Sequence, residues 1–336
     1  MKIKLLLAIL LFCLTSSVFA KNSKLYSSGD LTCNLITDII QDSRGFVWVA
    51  TEYGLNKFDG MHFVQYLHND RDKTSLGGNF VRCLYQDSKN NLWVGLSSGI
   101  QRYSPENDSF QTIYFDDGMT PFITEITEMS NGEIWITTGG RGVFVLNKEQ
   151  NRLIRLNEIS KISSSFIGSI YEDNKHQVWI GTDAKGLFCF DLKTRKFKKK
   201  YNGPDLSSSK ITDIIQDHKG NLYISNATNV KVLDKKTNQF YPLLYNGNQT
   251  LSISDMALAK NGNIFVATDG QGLKYIDVTA GSINNYNHTF NIYDFSAAKI
   301  SKIFEDRDSN IWLGCYYRGV LMLSKELTQF NFWNFK

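Results

Sequence analysis

Short stretches of alternating apolar and polar residues, each bounded by turn residues, recur along the chain at a nearly constant spacing. A large aromatic residue sits at the centre of each repeat, in order Trp48, Trp93, Trp135, Trp179, Tyr223, Phe265 and Trp312. The steps between these positions are 45, 42, 44, 44, 42 and 47 residues. A period of this length is typical of propellers and solenoids, which stack one supersecondary unit on the next.

The first repeat shows what each unit builds. Four β-rich runs, at 36–41, 46–50, 55–58 and 61–66, alternate with turns rich in Asp and Gly. Turns this close together favour antiparallel strands, and no part of the chain keeps a helical period. The sequence therefore predicts an all-β fold, a seven-bladed β-propeller of four-stranded antiparallel blades.

Three positions of the repeat have structural roles in this prediction. The central aromatic residue of strand two is expected to fill the gap between neighbouring blades. An Asp begins the turn after strand one in five copies, as Asp42, Asp87, Asp173, Asp217 and Asp306. A glycine ends the turn after strand two in six copies, as Gly54, Gly99, Gly142, Gly186, Gly272 and Gly319. Glycine is suited to the positive φ of such turns.

The first 20 residues have the pattern of a secretory signal peptide. Lys2 and Lys4 precede an apolar run, and Val18 and Ala20 occupy the −3 and −1 positions of a cut after Ala20. A membrane anchor is the alternative, but the apolar run is too short to span a bilayer. The sequence predicts a signal peptide over 1–20, a propeller over 21–336 and a periplasmic location.

The net charge and the cysteine content limit which partners, cofactors and disulfides the sequence predicts. The formal net charge of +4 falls to +2 without Lys2 and Lys4 (4 − 2 = 2), which argues against nucleic-acid binding. The basic run 196–200 is interpreted as a solvated edge strand, with an anion-binding patch as the alternative. Cys33 and Cys315 belong to the first and last repeats, so either a disulfide or two free thiols could occur where the ring closes. No cofactor motif or metal-ligand spacing is present, and none is predicted.

The turn after strand two, called the second turn below, is the predicted functional position. Its residues differ between repeats while the flanking strands do not, and all seven such turns should point to one face of a propeller. The candidate ligand-binding residues are Glu52, Tyr53, Arg141, Asp183, Lys185, Asn229, Asp269, Gln271, Tyr316, Tyr317 and Arg318. This mixture suits a polar ligand such as an oligosaccharide. The alternative is that these are ordinary solvated turns. The insertion at 68–79 is expected on the same face, as a lid or specificity loop.

Catalytic motifs are scarce. The run 139–142, Gly-Gly-Arg-Gly, superficially resembles a phosphate cradle, but it falls between strands and is interpreted as a turn. Five Asp residues occupy the same turn position of the repeat, which indicates folding rather than catalysis. The chain is predicted not to be an enzyme. A secreted polysaccharide lyase or glycosidase is the first alternative, and a protein-binding scaffold is the second.

The segment 42–59, Asp42-Ser-Arg-Gly-Phe-Val-Trp48-Val-Ala-Thr-Glu-Tyr-Gly54-Leu-Asn-Lys-Phe-Asp59, resembles the two-component regulator propeller repeat. The resemblance runs from about residue 30 to about residue 330 and is weakest in repeats five and six. It implies the periplasmic sensor region of a hybrid two-component system of Bacteroidetes, which senses glycan fragments and regulates polysaccharide utilisation. Kinase and output modules are not found in the sequence. A second propeller or a sensor kinase is therefore an expected partner. The last strand is predicted at 329–333, with the segment around Lys24–Tyr26 pairing nearby.

Overall fold

The architecture follows from the repeated pattern of four short strands. The computed structural model describes residues 23–156, 166–183, 185–201, 206, 210–226, 228–234, 236–245, 250–286 and 297–325. The predicted signal peptide and the predicted strand at 329–333 lie outside these ranges. The regular elements of the described residues are 28 strands, and they form a propeller-like arrangement of four-stranded antiparallel units. The predicted all-β class and four-stranded unit are confirmed.

Strand one of each repeat packs against strand one of its neighbours. These strands are β2 (Ile36–Gln41), β6 (Val81–Gln86), β10 (Ile123–Glu128), β14 (Ile167–Glu172), β18 (Ile211–Gln216), β22 (Ile253–Leu258) and β26 (Ile300–Glu305). Each contacts the next, and the last contacts the first, so they form a closed circle around a channel. Strand two lies outside strand one, as β3 (Val47–Thr51), β7 (Leu92–Leu96), β11 (Ile134–Thr138), β15 (Gln177–Thr182), β19 (Leu222–Asn226), β23 (Ile264–Thr268) and β27 (Ile311–Cys315).

Strands three and four complete each unit. Strand three is β4 (Gly54–Phe58), β8 (Gly99–Ser104), β12 (Gly142–Asn147), β16 (Leu187–Asp191), β20 (Val230–Asp234), β24 (Leu273–Asp277) and β28 (Gly319–Leu323). Strand four is β5 (Phe63–Tyr66), β9 (Ser109–Phe115), β13 (Arg152–Arg155), β17 (Lys196–Tyr201), β21 (Gln239–Leu243) and β25 (Ser282–Asn285). The basic run is thus an outermost strand, as predicted. One feature was not predicted: β13 and β9 pair in parallel and join two units into an eight-stranded sheet.

The N-terminal strand completes the last unit. Strand β1 (Ser23–Tyr26) pairs with β28, so the fourth strand of the seventh repeat comes from the opposite end of the described chain. Tyr26 is buried and stacks on Trp312, with ring centroids 6.1 Å apart. The predicted pairing of this segment near the last repeat is confirmed. The four described cysteines, including Cys33 and Cys315, are free thiols.

The central aromatic residues are buried between neighbouring units, as predicted. Trp48 packs with Val81 and Leu84 of the next repeat, and Trp312 packs with Ile36 and Ile39 of the first repeat. Each of these tryptophans therefore links its own unit to the following one. This packing carries the hydrophobic core around the whole circle, including the junction between the last and first repeats.

The Asp turn holds four of the five described tryptophans by a hydrogen bond that the sequence pattern did not predict. Trp48 Nε1 donates to Asp42 Oδ2 at 2.9 Å, while Asp42 Oδ1 accepts the backbone N–H groups of Arg44 and Phe46. The same indole bond joins Trp93 to Asp87, Trp179 to Asp173 and Trp312 to Asp306. A buried indole N–H without a partner would be costly, so the Asp both shapes the turn and permits burial of the ring.

Repeat three shows how this bond can be replaced. Met129 occupies the Asp position, and Trp135 Nε1 donates instead to Glu133 Oε2 at 2.9 Å. In repeat five, the Tyr223 hydroxyl donates to Asp217 at 3.2 Å. In these two repeats the central ring thus keeps a polar partner although the residue types change.

Every strand one carries a β-bulge between its first and third residues. A bulge leaves one residue outside the ladder and redirects the side chains beside it. The third residues, Asp38, Cys83, Glu125, Ser169, Asp213, Asp255 and Lys302, line the central channel, a cavity of about 510 Å³. The bulges therefore bring charged side chains to the axis of an otherwise apolar set of strands.

Four of these side chains bind the backbone of the next repeat. Asp38 Oδ2 accepts from Leu84 N–H at 2.7 Å, and Glu125 Oε2 accepts from Ile170 N–H at 2.8 Å. Asp213 and Asp255 accept in the same way from the N–H groups of Met256 and Ile303, at 2.8 and 2.9 Å. The carboxylates thus connect neighbouring inner strands, where no β-ladder joins them.

Lys302 is the cation at the centre of this group. Its Nζ lies 2.9 Å from Asp255 Oδ1 and 3.5 Å from Asp38 Oδ1. Burial alone would lower the pKa of Lys302, but the charges of Asp255, Asp38 and Asp213 raise it well above its ordinary value. Lys302 therefore stays charged and links repeats six, seven and one across the junction that closes the circle.

Two channel carboxyls hold protons near neutral pH. Burial, followed by the charge of Asp213, raises the pKa of Glu125 to about 8. Burial, followed by the charge of Asp255, raises the pKa of Asp213 to about 7. The single Lys302 ammonium does not offset all four carboxylates, so the channel favours partial protonation.

We expect Asp42→Ala to destabilise the protein by about 2 to 4 kcal/mol, because a buried indole N–H and two turn N–H groups lose their acceptor. The measurement is urea unfolding followed by tryptophan fluorescence. Asp59→Ala is the matched control, since Asp59 caps an exposed turn of the same repeat. Equal loss of stability in both variants would contradict the role given to the indole bond.

The raised pKa of Glu125 also predicts a pH effect. The folded state holds this proton longer than the unfolded chain, so the stability it contributes is complete below pH 4.5 and is lost as pH rises through about 8. Glu125→Gln keeps an acceptor for Ile170 N–H without the charge. We expect it to melt about 2 to 4 °C above the parent protein at pH 9 and close to it at pH 5.

The control for this pH effect is Glu128→Gln on the same strand. Its carboxylate accepts hydrogen bonds from Ser88 at an exposed edge rather than in the channel. The melting temperatures of the parent protein and of both variants are compared at pH 5 and at pH 9. A gain at pH 9 from Glu128→Gln, or none from Glu125→Gln, is the contrary result.

Candidate functional site

The second turns and the connections between repeats lie at the same edge of the units. Backbone N–H groups of the turns donate to the residue that precedes strand one: Glu52 to Leu35, Ser97 to Phe80, Asp183 to Phe166 and Tyr316 to Lys299, at 2.9–3.1 Å. These bonds surround one opening of the channel. The edge formed by the second turns and these preceding residues is called the turn face below.

A group of candidate residues from repeats six, seven and one meets on the turn face. Tyr316 and Tyr317 are 46 % and 66 % exposed, and their rings pack edge to face with centroids 4.4 Å apart. Lys299 Nζ lies 5.8 Å from the centre of the Tyr316 ring and 3.0 Å from Asp269 Oδ1. The turn face therefore presents exposed aromatic surface beside an ion pair, and Lys299 was not among the predicted residues.

The tyrosine pair is also close to the first repeat. The hydrogen bond with Tyr317 raises the pKa of Tyr316, and the negative charge of Glu52 adds to this effect. Tyr53, next to Glu52, is 55 % exposed. The set Glu52, Asp269, Tyr316 and Tyr317 is called the tyrosine cluster below. The structure brings together these four of the eleven predicted residues on the turns of repeats six, seven and one.

The other candidates have more local roles. Arg141 forms an ion pair with Asp117. The Gln271 side chain accepts from Ser252 N–H at 2.9 Å and donates to the Thr250 carbonyl at 3.0 Å, so it holds the connection into repeat six. Lys185 N–H donates to Thr182 Oγ1 at 3.1 Å, and Arg318 N–H donates to the Cys315 carbonyl at 2.9 Å. These contacts stabilise turns.

Two candidate residues carry buried polar atoms that are free to accept or donate. Among the described residues, three buried side-chain atoms make no hydrogen bond. They are Arg141 Nε, Asn229 Oδ1 and Asn34 Oδ1. Such atoms are uncommon in folded proteins, since each loses its bond to water. Asp183 begins its turn with a backbone bond to the Phe166 carbonyl.

Aromatic and cationic side chains form an arc on the opposite side of the channel opening. The sequence pattern did not predict this arc. Phe80, Phe122 and Phe166 each precede a strand one. The Arg82 guanidinium lies 5.0 Å from the Phe80 ring centre and 4.8 Å from that of Phe122, and Lys210 Nζ lies 5.3 Å from that of Phe166. Aligning the repeats on strand one would have revealed the shared position. These cation–π contacts place positive charge on aromatic faces at the channel opening.

The glycine-rich run 139–142 and the insertion 68–79 have structural explanations. A Cβ on Gly139 would lie 1.7 Å from the Phe122 ring, so the glycine permits this ring to pack on the turn. In the insertion, Leu76 is buried and Gly77 N–H donates to Gln101 Oε1 at 2.8 Å. The insertion is thus anchored to repeat two.

The described residues hold no group of three or more His, Cys, Asp or Glu side chains with the arrangement of a metal site. None of the described segments is a helix of sufficient length and apolarity to cross a membrane. The chemistry of the turn face is therefore that of tyrosine, carboxylate, ammonium and backbone groups.

Comparisons with known proteins agree with this architecture. The family model described as "Two component regulator propeller" matches residues 30–53, 75–98 and 161–184. Over 100 residues, the chain is 29 % identical to a curated protein called "Histidine kinase P4" from Formosa agariphila. This alignment covers 27 % of the chain and 7 % of the kinase.

Solved structures share the fold. The extracellular domain of a putative hybrid two component system from B. thetaiotaomicron superposes with a TM-score of 0.77 at 24 % identity, covering 90 % of this chain and 41 % of that chain. A second such domain from the same organism has a TM-score of 0.76 at 22 % identity, with 90 % and 42 % coverage. A virginiamycin B lyase from Staphylococcus aureus has a TM-score of 0.69 at 14 % identity, with 90 % and 98 % coverage.

The chain spans less than half the length of the extracellular domains that it resembles and a small part of the curated kinase. At these identities, the solved structures show the shared fold alone. The family match rests on the segments that contain strand one, the Asp turn, strand two and the second turn of three repeats. Three segments of the chain match two component regulator propeller repeats, and its fold is similar to that of the extracellular domains of putative hybrid two component systems.

Proposed function

We propose that this chain is an exported, seven-bladed propeller that senses an oligosaccharide in the periplasm for a hybrid two-component system. The tyrosine cluster carries the proposal. It combines exposed aromatic faces, which stack on the C–H faces of sugar rings, with carboxylates that accept hydrogen bonds from sugar hydroxyls. Binding sites commonly lie on loops that a rigid scaffold presents.

The blade count and closure rest on the strand contacts. Seven groups of four strands contact one another in a circle, and β1 completes the seventh group. Each group supplies one second turn to the turn face. A seven-bladed ring would hold these turns at fixed separations, as recognition of an extended ligand requires.

The signalling role is proposed from the family of the repeats. In this proposal, residues 1–20 direct export, the propeller remains in the periplasm, and a sensor kinase or second propeller receives the signal. The propeller itself catalyses no reaction. Regulation of polysaccharide-utilisation genes is the corresponding output.

Polar ligands suit the turn face better than a protein partner does. The exposed large side chains of its second turns are tyrosines, which carry a hydroxyl, and Tyr316 lies beside the Lys299–Asp269 ion pair. A protein interface of useful size would instead need a broader apolar centre. The unpaired Arg141 Nε and Asn229 Oδ1 add polar atoms that a hydroxylated ligand could satisfy.

We expect a thermal-shift screen against plant, host and microbial oligosaccharides to identify a ligand that raises the melting temperature progressively as its concentration increases. Tyr317→Ala should weaken binding of that ligand at least tenfold, because it removes stacking surface, while the unliganded protein melts as before. Tyr317→Phe, which keeps the ring, should lose much less.

Tyr241→Ala is the matched control, because Tyr241 is also a well-exposed tyrosine, at 48 %, but lies on the outer strand β21. It should bind like the parent protein. Equal effects of both alanine variants would contradict a site at the tyrosine cluster. Recovery of the sugar in shortened form would indicate a glycosidase or lyase instead of a sensor. The absence of a response to any sugar would contradict oligosaccharide sensing by this chain.

A further inference from the structure

Grooves run between neighbouring repeats at the edge that carries the Asp turns, away from the turn face. The groove between repeats two and three has a volume of about 190 Å³, and the groove between repeats four and five about 380 Å³. The groove between repeats six and seven, called the 6/7 groove below, has about 780 Å³. The three contain residues from the same positions of the repeat, so their difference in size has a local cause.

The 6/7 groove, the largest of the three, lies where repeat six lacks the indole and its partner. The smaller grooves contain Asp87 with Trp93 and Asp173 with Trp179, joined by indole hydrogen bonds of 2.9 and 2.8 Å. The 6/7 groove contains Ala259 and Phe265 at these positions. A phenyl ring fills less of the gap than an indole, and alanine offers no acceptor.

The walls of the 6/7 groove are aromatic and its rim is polar. Phe265 and Tyr286 pack edge to face with centroids 5.6 Å apart, and Tyr275 also lines the groove. Glu305 Oε2 accepts from Lys260 N–H at 2.9 Å, which holds the carboxylate at the rim. Concave sites of this volume, with apolar walls and few polar groups, are typical of small-molecule sites.

We propose that the 6/7 groove binds a planar aromatic molecule of one or two fused rings that carries an N–H or O–H donor. The ring of the ligand takes the place of the missing indole, between Phe265, Tyr275 and Tyr286. Its donor binds the Glu305 carboxylate, which replaces the acceptor lost at Ala259. This site is separate from the tyrosine cluster and does not depend on the proposed function.

The test uses indole as the probe, with binding to the full chain measured by equilibrium dialysis and thermal shift. Indole should bind the parent protein. The variant Ala259→Asp with Phe265→Trp restores the pair found in other repeats, places an indole where the ligand ring would lie and should reduce binding at least tenfold. It should also raise the melting temperature of the unliganded protein, because a cavity is filled, and this excludes misfolding as the reason for lost binding.

Two further variants make the test specific. Tyr223→Trp restores an indole in repeat five, outside the 6/7 groove, and should leave indole binding unchanged. Glu305→Gln should weaken the binding of indole but not of naphthalene, which has no donor. Its amide oxygen can still accept from Lys260 N–H, so the rim is kept.

Several results would overturn the proposal. The first is that the parent protein does not bind indole. The second is that the doubly substituted variant binds indole as well as the parent does. The third is that Tyr223→Trp loses as much binding as the doubly substituted variant. The residues beyond Lys325, which lines the groove, include Trp333. If indole binds only after residues 326–336 are removed, the chain's own C-terminal segment is the occupant and not a separate ligand.

Discussion

The hydrogen bond from a buried indole N–H to the carboxylate of the Asp turn is the interaction on which the rest of the structure depends. A tryptophan gives the largest apolar surface for the gap between two units, but its N–H needs an acceptor there. The Asp supplies one oxygen to the indole and the other to its own turn. The same carboxylate therefore ends strand one, begins strand two and holds the ring that packs on the next unit. Repeat six lacks both members of the pair, and the groove beside it is the largest of the three described above.

The strands and the buried aromatic residues could be predicted because both follow from local periodicity. Trp48 and its equivalents stand at a regular spacing, and the turns beside them contain Asp and Gly. The indole bond was missed because Asp42 reads as an ordinary turn residue until the ring six positions later is seen to fold back on it. The parallel pairing of β13 with β9 depends on two outer strands from different repeats, and no local pattern indicates it.

The candidate site was predicted only in part, for a similar reason. The second turns were recognised as variable, and Glu52, Asp269, Tyr316 and Tyr317 do come together. Which turns meet depends on the position of each repeat in the circle. Arg141 and Gln271 have partners near their own turns, so their side chains stabilise local structure. The charged residues of the channel were overlooked because a single Asp or Lys within an apolar strand looks like ordinary alternation. The bulge that turns it to the axis appears only in three dimensions.

The pairing of Ser23 with Leu323 has a consequence for how the molecule is made. Of the described strands, the first to be synthesised must wait for the last one before it acquires its partner, and nearly the whole described part of the chain separates the two. During that interval the growing arc has an open edge at each end, and unpaired strand edges are prone to misassembly. Contacts between such distant parts of a chain also form slowly. Assembly is thus expected to end with a single late step in which the two ends of the arc meet, and the order of synthesis makes the junction at Lys302 the last one completed.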